Sequence, residues 1–128
     1  MEALIKSTSG RRSLRFHDAD GDYFQVTVEG DGPQVTKDIW TYTDSAGVAD
    51  LFEACARDWT GWEDARFWEA IEGDLRLDVV SSRTGQIRIT VCIRDTGGTE
   101  EWLVRVPIFT EAGALDGIAR QCRLFFGS

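Results

Sequence analysis

The 128-residue chain reads as a single α+β domain: a curved antiparallel β-sheet of about six to seven strands, mostly a meander, covered by two main helices. Three observations carry this. Residues 13–43 and 75–106 alternate apolar and polar side chains with a period of two, as strands with one buried face do. Residues 44–59 and 110–126 instead space their apolar side chains at helical intervals. The order is strands, helix, strands, helix, without the strand–helix–strand alternation that builds parallel sheets.

Each element follows from local pattern. Residues 13–17 alternate, and Asp18-Ala19-Asp20-Gly21-Asp22 is a turn, with aspartates and glycine at their usual loop positions. In residues 23–29, Phe24, Val26 and Val28 share one face. Asp31-Gly32 is a second hairpin turn. Residues 34–43 form a further strand, with Val35 and Ile39 apolar and Trp40 and Tyr42 adding bulk. Asp44 is placed to cap a helix by accepting a free backbone N–H, and Val48, Leu51, Phe52, Cys55 and Trp59 continue one helical face to Thr60-Gly61. Residues 62–71 predict a second, short helix, because Trp68 lies three residues from Ile71 and four from Asp64. Leu75, Leu77 and Val79, then Ile87, Ile89, Val91 and Ile93, then Trp102, Val104 and Val106 mark three strands joined at Arg83-Thr84-Gly85 and Thr96-Gly97-Gly98-Thr99. Thr110 can cap a terminal helix whose face is Leu115, Ile118, Ala119, Cys122 and Phe125, widened by Phe126.

Totals narrow the function. Hydrophobic residues are 42% and charged residues 28%, ordinary for a soluble globular domain. No apolar run is long enough to span a bilayer, and residues 1–12 lack the apolar core of a secretory signal. Cys55, Cys92 and Cys122 are widely spaced and odd in number, which suits reduced, buried thiols in a cytoplasmic protein. The net charge of −8 is unevenly spread. Residues 1–17 hold four basic and one acidic residue, residues 18–72 three basic and fourteen acidic, and residues 73–128 seven of each. An acidic centre repels phosphate backbones, which argues against nucleic acid, and attracts a basic protein.

Catalytic and metal patterns fail on detail. Asp18, Asp20, Asp22 and Glu29 stand at positions 1, 3, 5 and 12 of a calcium loop, but Tyr23 occupies the glycine position. A strand starting there carries Glu29 about 20 Å from the turn. His17, the single histidine, sits beside Asp18 without further ligands or a GxSxG, and is expected at a strand end near solvent. The glycines make neither GxGxxG nor a Walker loop. Glu63 with Asp64, Glu69 with Glu72 and Asp74 with Asp78 are too numerous as pairs to mark a glycosidase couple. Arg76, Arg88, Arg94 and Arg105 share strand parity, so they belong to one sheet face, solvated and paired across strands with Asp78 and Glu100. No metal and no cofactor is expected.

The segment 59–77 is the most distinctive. Trp59, Trp62 and Trp68 fall within ten residues, among Asp58, Glu63, Asp64, Glu69, Glu72 and Asp74. Trp59 continues the first helical face and is expected in the core; Trp68 is expected to pack just before Leu75. Trp62 fits no periodicity, and an exposed tryptophan anchors interfaces. Trp59, Gly61-Trp62-Glu63, Arg66, Trp68-Glu69, Glu72-Gly73-Asp74-Leu75 and the strand over residues 87–94 resemble the pattern of an uncharacterised family of small bacterial proteins, and are similar to WapI-type immunity proteins. The resemblance runs from Asp44 to Arg94, the middle 40% or so of the chain, and includes the helix that ends in Trp59. It implies a protein that binds and neutralises a cognate toxin, and it brings no catalytic residue.

The leading expectation is a non-enzymatic cytoplasmic binding protein that meets a basic partner through an acidic, tryptophan-bearing surface, with Trp62, Glu63, Asp64 and Glu69 as contacts. A second reading is a small-ligand or catalytic domain, with a pocket between sheet and helices lined by Trp40, Trp68 or Trp102. A third is a self-associating domain, a homodimer in which the arginine face of one chain meets the acidic segment of another.

Overall fold

Every alternating segment pairs with its sequence neighbour, so the strands form meanders. The computed structural model describes residues 1–127. Strands β1 (Ala3–Lys6), β2 (Ser13–Asp20), β3 (Tyr23–Glu29) and β4 (Val35–Trp40) form one antiparallel sheet in that order. After helix α1 (Gly47–Arg57), strands β5 (Arg66–Glu69), β6 (Leu75–Ser81), β7 (Gln86–Asp95) and β8 (Trp102–Glu111) form a second. A 3-10 turn, Ala112–Ala114, leads into helix α2 (Leu115–Phe126). The class is α+β, with antiparallel strands and two covering helices. The strands number eight in two sheets, because α1 intervenes between β4 and β5 and these two do not pair. No helix among the described residues is long and apolar enough to cross a membrane.

The period-two pattern determines what each sheet buries. Leu14, Phe16, Phe24, Val26, Val28 and Ile39 from the first sheet meet Leu75, Leu77, Val79, Ile87, Ile89, Val91 and Ile93 from the second in one core. The helices add Val48, Phe52 and Cys55, then Leu115, Ile118 and Cys122. Phe126 packs edge-on to both Phe16 and Phe24, with ring centroids 5.4 and 5.0 Å away. Such pairs add about 0.5–1.5 kcal/mol each beyond their buried area. Across the helix pair, Arg123 donates to Glu53 Oε1 and Asp50 Oδ1, both at 2.6 Å. These bonds hold the Glu53 carboxyl below its ordinary range. The sheets adjoin where the Thr8 N–H donates to the Phe109 carbonyl (2.8 Å) and Arg12 Nη1 to that of Pro107 (3.1 Å).

Four local expectations are corrected. Asp44 does not cap α1: the N-cap is Ala46, which makes no side-chain cap bond. The Asp44 carboxylate instead accepts the Trp68 indole N–H at 2.8 Å. Residues 62–71 are not helical but contain β5, where Trp68 points into the core opposite Leu77 while Phe67 and Glu69 point out. Ile71, the supposed helical partner of Trp68, sits exposed in the β5–β6 turn, which closes where the Gly73 N–H donates to Ala70 (2.8 Å) at a φ of +73°. Thr110 lies buried inside β8 rather than capping α2. Cys55 and Cys122 are buried free thiols, pushed up to about 11 and 12 by desolvation, whereas Cys92 is only half-buried.

One charged pair spans the two sheets. Lys37 lies on β4 between Val35 and Ile39 and pairs with Val26, so its stem runs on the core side. Its Nζ approaches Asp74 Oδ2 at 3.9 Å, and Asp74 Oδ1 is buried without a partner. Burial raises the Asp74 pKa, outweighing the backbone hydrogen bond and the Lys37 charge that lower it. A raised folded pKa means that the native state takes up this proton before the unfolded state does. The ionised carboxylate therefore costs stability at neutral pH, and that cost disappears as the pH falls through the folded pKa towards 3.8. Asp74→Asn is expected to raise the urea midpoint at pH 7 and to match the parent near pH 4. An equal difference at both pH values would contradict this account.

Candidate protein-docking site

Arg66, the first residue of β5, organises the corner where α1 ends. α1 stops at Arg57, two residues short of Trp59 where its apolar stripe was expected to end, with Asp58 as C-cap. The last carbonyls of a helix lack intrahelical donors and carry partial negative charge, which favours a cation. Arg66 supplies it: Nη1 donates to the Ala54 carbonyl at 2.9 Å, which also accepts the Asp58 N–H at 3.3 Å, and Nη2 donates to Asp58 Oδ2 at 2.6 Å. The same guanidinium lies 4.9 Å from the centre of the Trp62 ring. Trp62 packs against the core and donates its indole N–H to the Val79 carbonyl at 3.2 Å. One side chain thus ties helix end, loop and sheet together.

This pinning decides which groups face solvent. Trp59, expected in the core, is 62% exposed. Glu63 and Asp64 are exposed in the same loop, and Asp64 adopts a positive φ of +62°, a conformation that non-glycine residues rarely take. Trp62 is half-buried. Glu69 is exposed but lies on the outer face of the second sheet, at the opposite end of β5 from Arg66, about 10 Å along the strand. Trp62, Glu63 and Asp64 therefore share one corner, and Glu69 belongs to another surface. Trp59 and Thr60 form one wall of an open groove of about 760 Å³, bounded also by Arg83, Gln86 and Glu111. Sequence reasoning missed Trp59 and Arg66. Trp59 lies four residues after Cys55 and so mimics a continuing stripe. The signals against it were Thr60-Gly61 just beyond it and an arginine seven residues on.

The remaining candidates lie elsewhere. His17 is not near solvent but buried, with Nδ1 2.7 Å from Asp18 Oδ2 and Nε2 2.7 Å from Thr27 Oγ1, itself 2.7 Å from Thr36 Oγ1. Asp18 sits at a β-bulge with φ +52°, which turns its carboxylate back onto the imidazole. Thr27 is 2% exposed, and this carboxylate–imidazole–hydroxyl chain fastens β2, β3 and β4 to one another. Of the tryptophans expected to line a pocket, Trp68 belongs to the buried core, and Trp102 borders a shallow pocket with Arg94, Thr96, Glu101 and Leu103. Among the described residues, no three His, Cys, Asp or Glu side chains gather to hold a metal.

No curated protein and no solved structure matches the chain. Residues 6–128 match a family of unknown function, DUF6228, and the chain belongs to that family.

Proposed function

We propose that this chain is a non-enzymatic protein-binding module of the immunity-protein kind, acting in the cytoplasm, which covers a basic surface of a cognate toxin with the corner at the end of α1. The observation that carries the reading is the outward Trp59, which follows the Arg66-bonded Asp58 in the chain and shares its loop with the exposed Glu63 and Asp64. A large indole kept in solvent on a pinned loop loses little conformational freedom when a partner buries it, which is what an interface anchor needs. The surrounding carboxylates steer a basic surface towards it. The likeness of the segment 44–94 to immunity proteins supports a toxin as the partner.

The test is binding to a toxin encoded beside the gene. Trp59→Ala is expected to weaken binding roughly thirtyfold, about 2 kcal/mol. It leaves thermal stability unchanged, because the side chain is exposed. Glu63→Gln with Asp64→Asn is expected to slow association and flatten its salt dependence. Affinity indifferent to both Trp59 and salt would refute the reading, as would the lack of any toxin gene nearby.

A further inference from the structure

The outer face of the second sheet is uncovered, and it is unlike the rest of the molecule. Phe67, Leu103 and Phe109 project from it at 56%, 52% and 39% exposure. It carries Arg76, Arg88, Arg94 and Arg105 against Glu69, Asp78 and Glu111, a sum of +1 on a chain of −8. Everything outside this face therefore sums to −9, so net repulsion between copies is weaker here than over the acidic remainder.

The register shows what fits. One row across β5, β6, β7 and β8 reads Phe67, Asp78, Thr90, Pro107, and the next reads Glu69, Arg76, Cys92, Arg105. A two-fold axis parallel to the strands lays β5 over β8 of a second copy and β6 over its β7, and keeps each row opposite itself. Glu69 of one copy then faces Arg105 of the other, twice. Phe67, one side of whose ring is covered by Arg76 at 4.1 Å, presents its other side to Pro107 of the copy. Arg105 has no carboxylate within salt-bridge distance in its own chain among the described residues, and Glu69 reaches Arg76 only at 4.0 Å. Both are available for a contact between chains. Four strands about 4.8 Å apart and some 25 Å long give a face of roughly 500 Å² in projection, so two such faces bury on the order of 1,000 Å² or more, enough for a specific contact.

We propose that the chain forms a two-fold symmetric homodimer by packing the outer faces of two β5–β8 sheets, with Glu69 paired to Arg105 across the axis. The arrangement is face to face and centred on the Glu69–Arg105 row, whereas Trp59 lies beside Glu111 at the far end of β8. Trp59→Ala leaves it unchanged, which separates this inference from the toxin-binding one. The geometry also sets a distance. With sheets about 10 Å apart and strands about 4.8 Å apart, the two Cys92 Cα atoms stand about 11 Å from each other. That is too far for a disulfide and within reach of a short bis-maleimide. Cys55 and Cys122 are fully buried and do not compete for the reagent.

Sedimentation over a range of concentrations, together with bis-maleimide crosslinking of the full chain, tests the inference. A reversible dimer is expected, captured covalently through Cys92 and not captured after Cys92→Ser. Arg105→Glu and Glu69→Arg each place like charges across the axis twice and are expected to weaken the dimer at least about tenfold. The double variant Glu69→Arg with Arg105→Glu is expected to return it to within about threefold, which a merely misfolded single variant does not do. A monomer at every concentration overturns the inference. So does a dimer that survives Arg105→Glu and leaves Cys92 uncrosslinked, since it uses another surface.

Discussion

Gly47→Ala is expected to destabilise the fold by about 2 kcal/mol or more, against the usual sign of such a change. Glycine to alanine in a helix ordinarily gains up to about 1 kcal/mol, because alanine loses less backbone freedom. Gly47 opens α1, and a Cβ there would overlap Nε1 of Trp68 and come within 2.6 Å of Asp44 Oδ1. Trp68 is 7% exposed and cannot swing into solvent without emptying part of the core. Overpacking costs about 1–3 kcal/mol, and displacing the indole also strips the Trp68–Asp44 hydrogen bond, worth roughly another 1–2. The two terms together exceed the gain in helix propensity. Urea unfolding of Gly47→Ala, Trp68→Phe and the double variant decides the cause. The smaller phenyl ring makes room, so the glycine change should cost at least about 1 kcal/mol less in the Trp68→Phe background. Additive costs would show that the clash is not the mechanism.

That pairing marks where sequence reading reached its limit. The strands β6, β7 and β8 were legible because Leu75 to Val79, Ile87 to Ile93 and Trp102 to Val106 alternate over at least five residues each with a period of two. β5 has four residues, too few for a period to declare itself, and the spacing of Asp64, Trp68 and Ile71 happens to suit a helix. What makes it a strand is Trp68 opposite Leu77 and Arg66 opposite Val79, which are contacts with residues not yet reached. Asp44 has the right chemistry for a helix cap, yet its acceptor goes to an indole 24 residues away that Gly47 admits. His17 likewise takes its environment from a bulge and from Thr27 on the next strand. Short-range pattern thus identified faces and periods. Which polar groups would find each other across the fold was not written in it.

The docking corner shows the same dependence on a distant partner, and Arg66→Ala exposes it. This change is expected to lower stability by about 2 kcal/mol and to weaken toxin binding as strongly as Trp59→Ala, although Arg66 need not touch the toxin. The guanidinium makes two charge-assisted hydrogen bonds, to Ala54 and Asp58, at a side chain 31% exposed. A charge-assisted bond contributes about 1.5–3 kcal/mol when buried, and the exposed Asp58 arm much less, so the Ala54 arm and the stacking on Trp62 carry most of the effect. Without them the end of α1 frays and the loop 58–65 gains freedom, which binding must then remove. Arg66→Lys should not rescue either property, because an ammonium cannot fork to two acceptors while lying flat on an indole. Limited proteolysis supplies the independent readout: cleavage within 58–65 should accelerate in Arg66→Ala and Arg66→Lys but not in Trp59→Ala, where the loop keeps its tether and loses only its anchor. Were Arg66→Lys to restore both stability and affinity, charge alone would hold the corner, and the forked geometry would have no role in presenting Trp59.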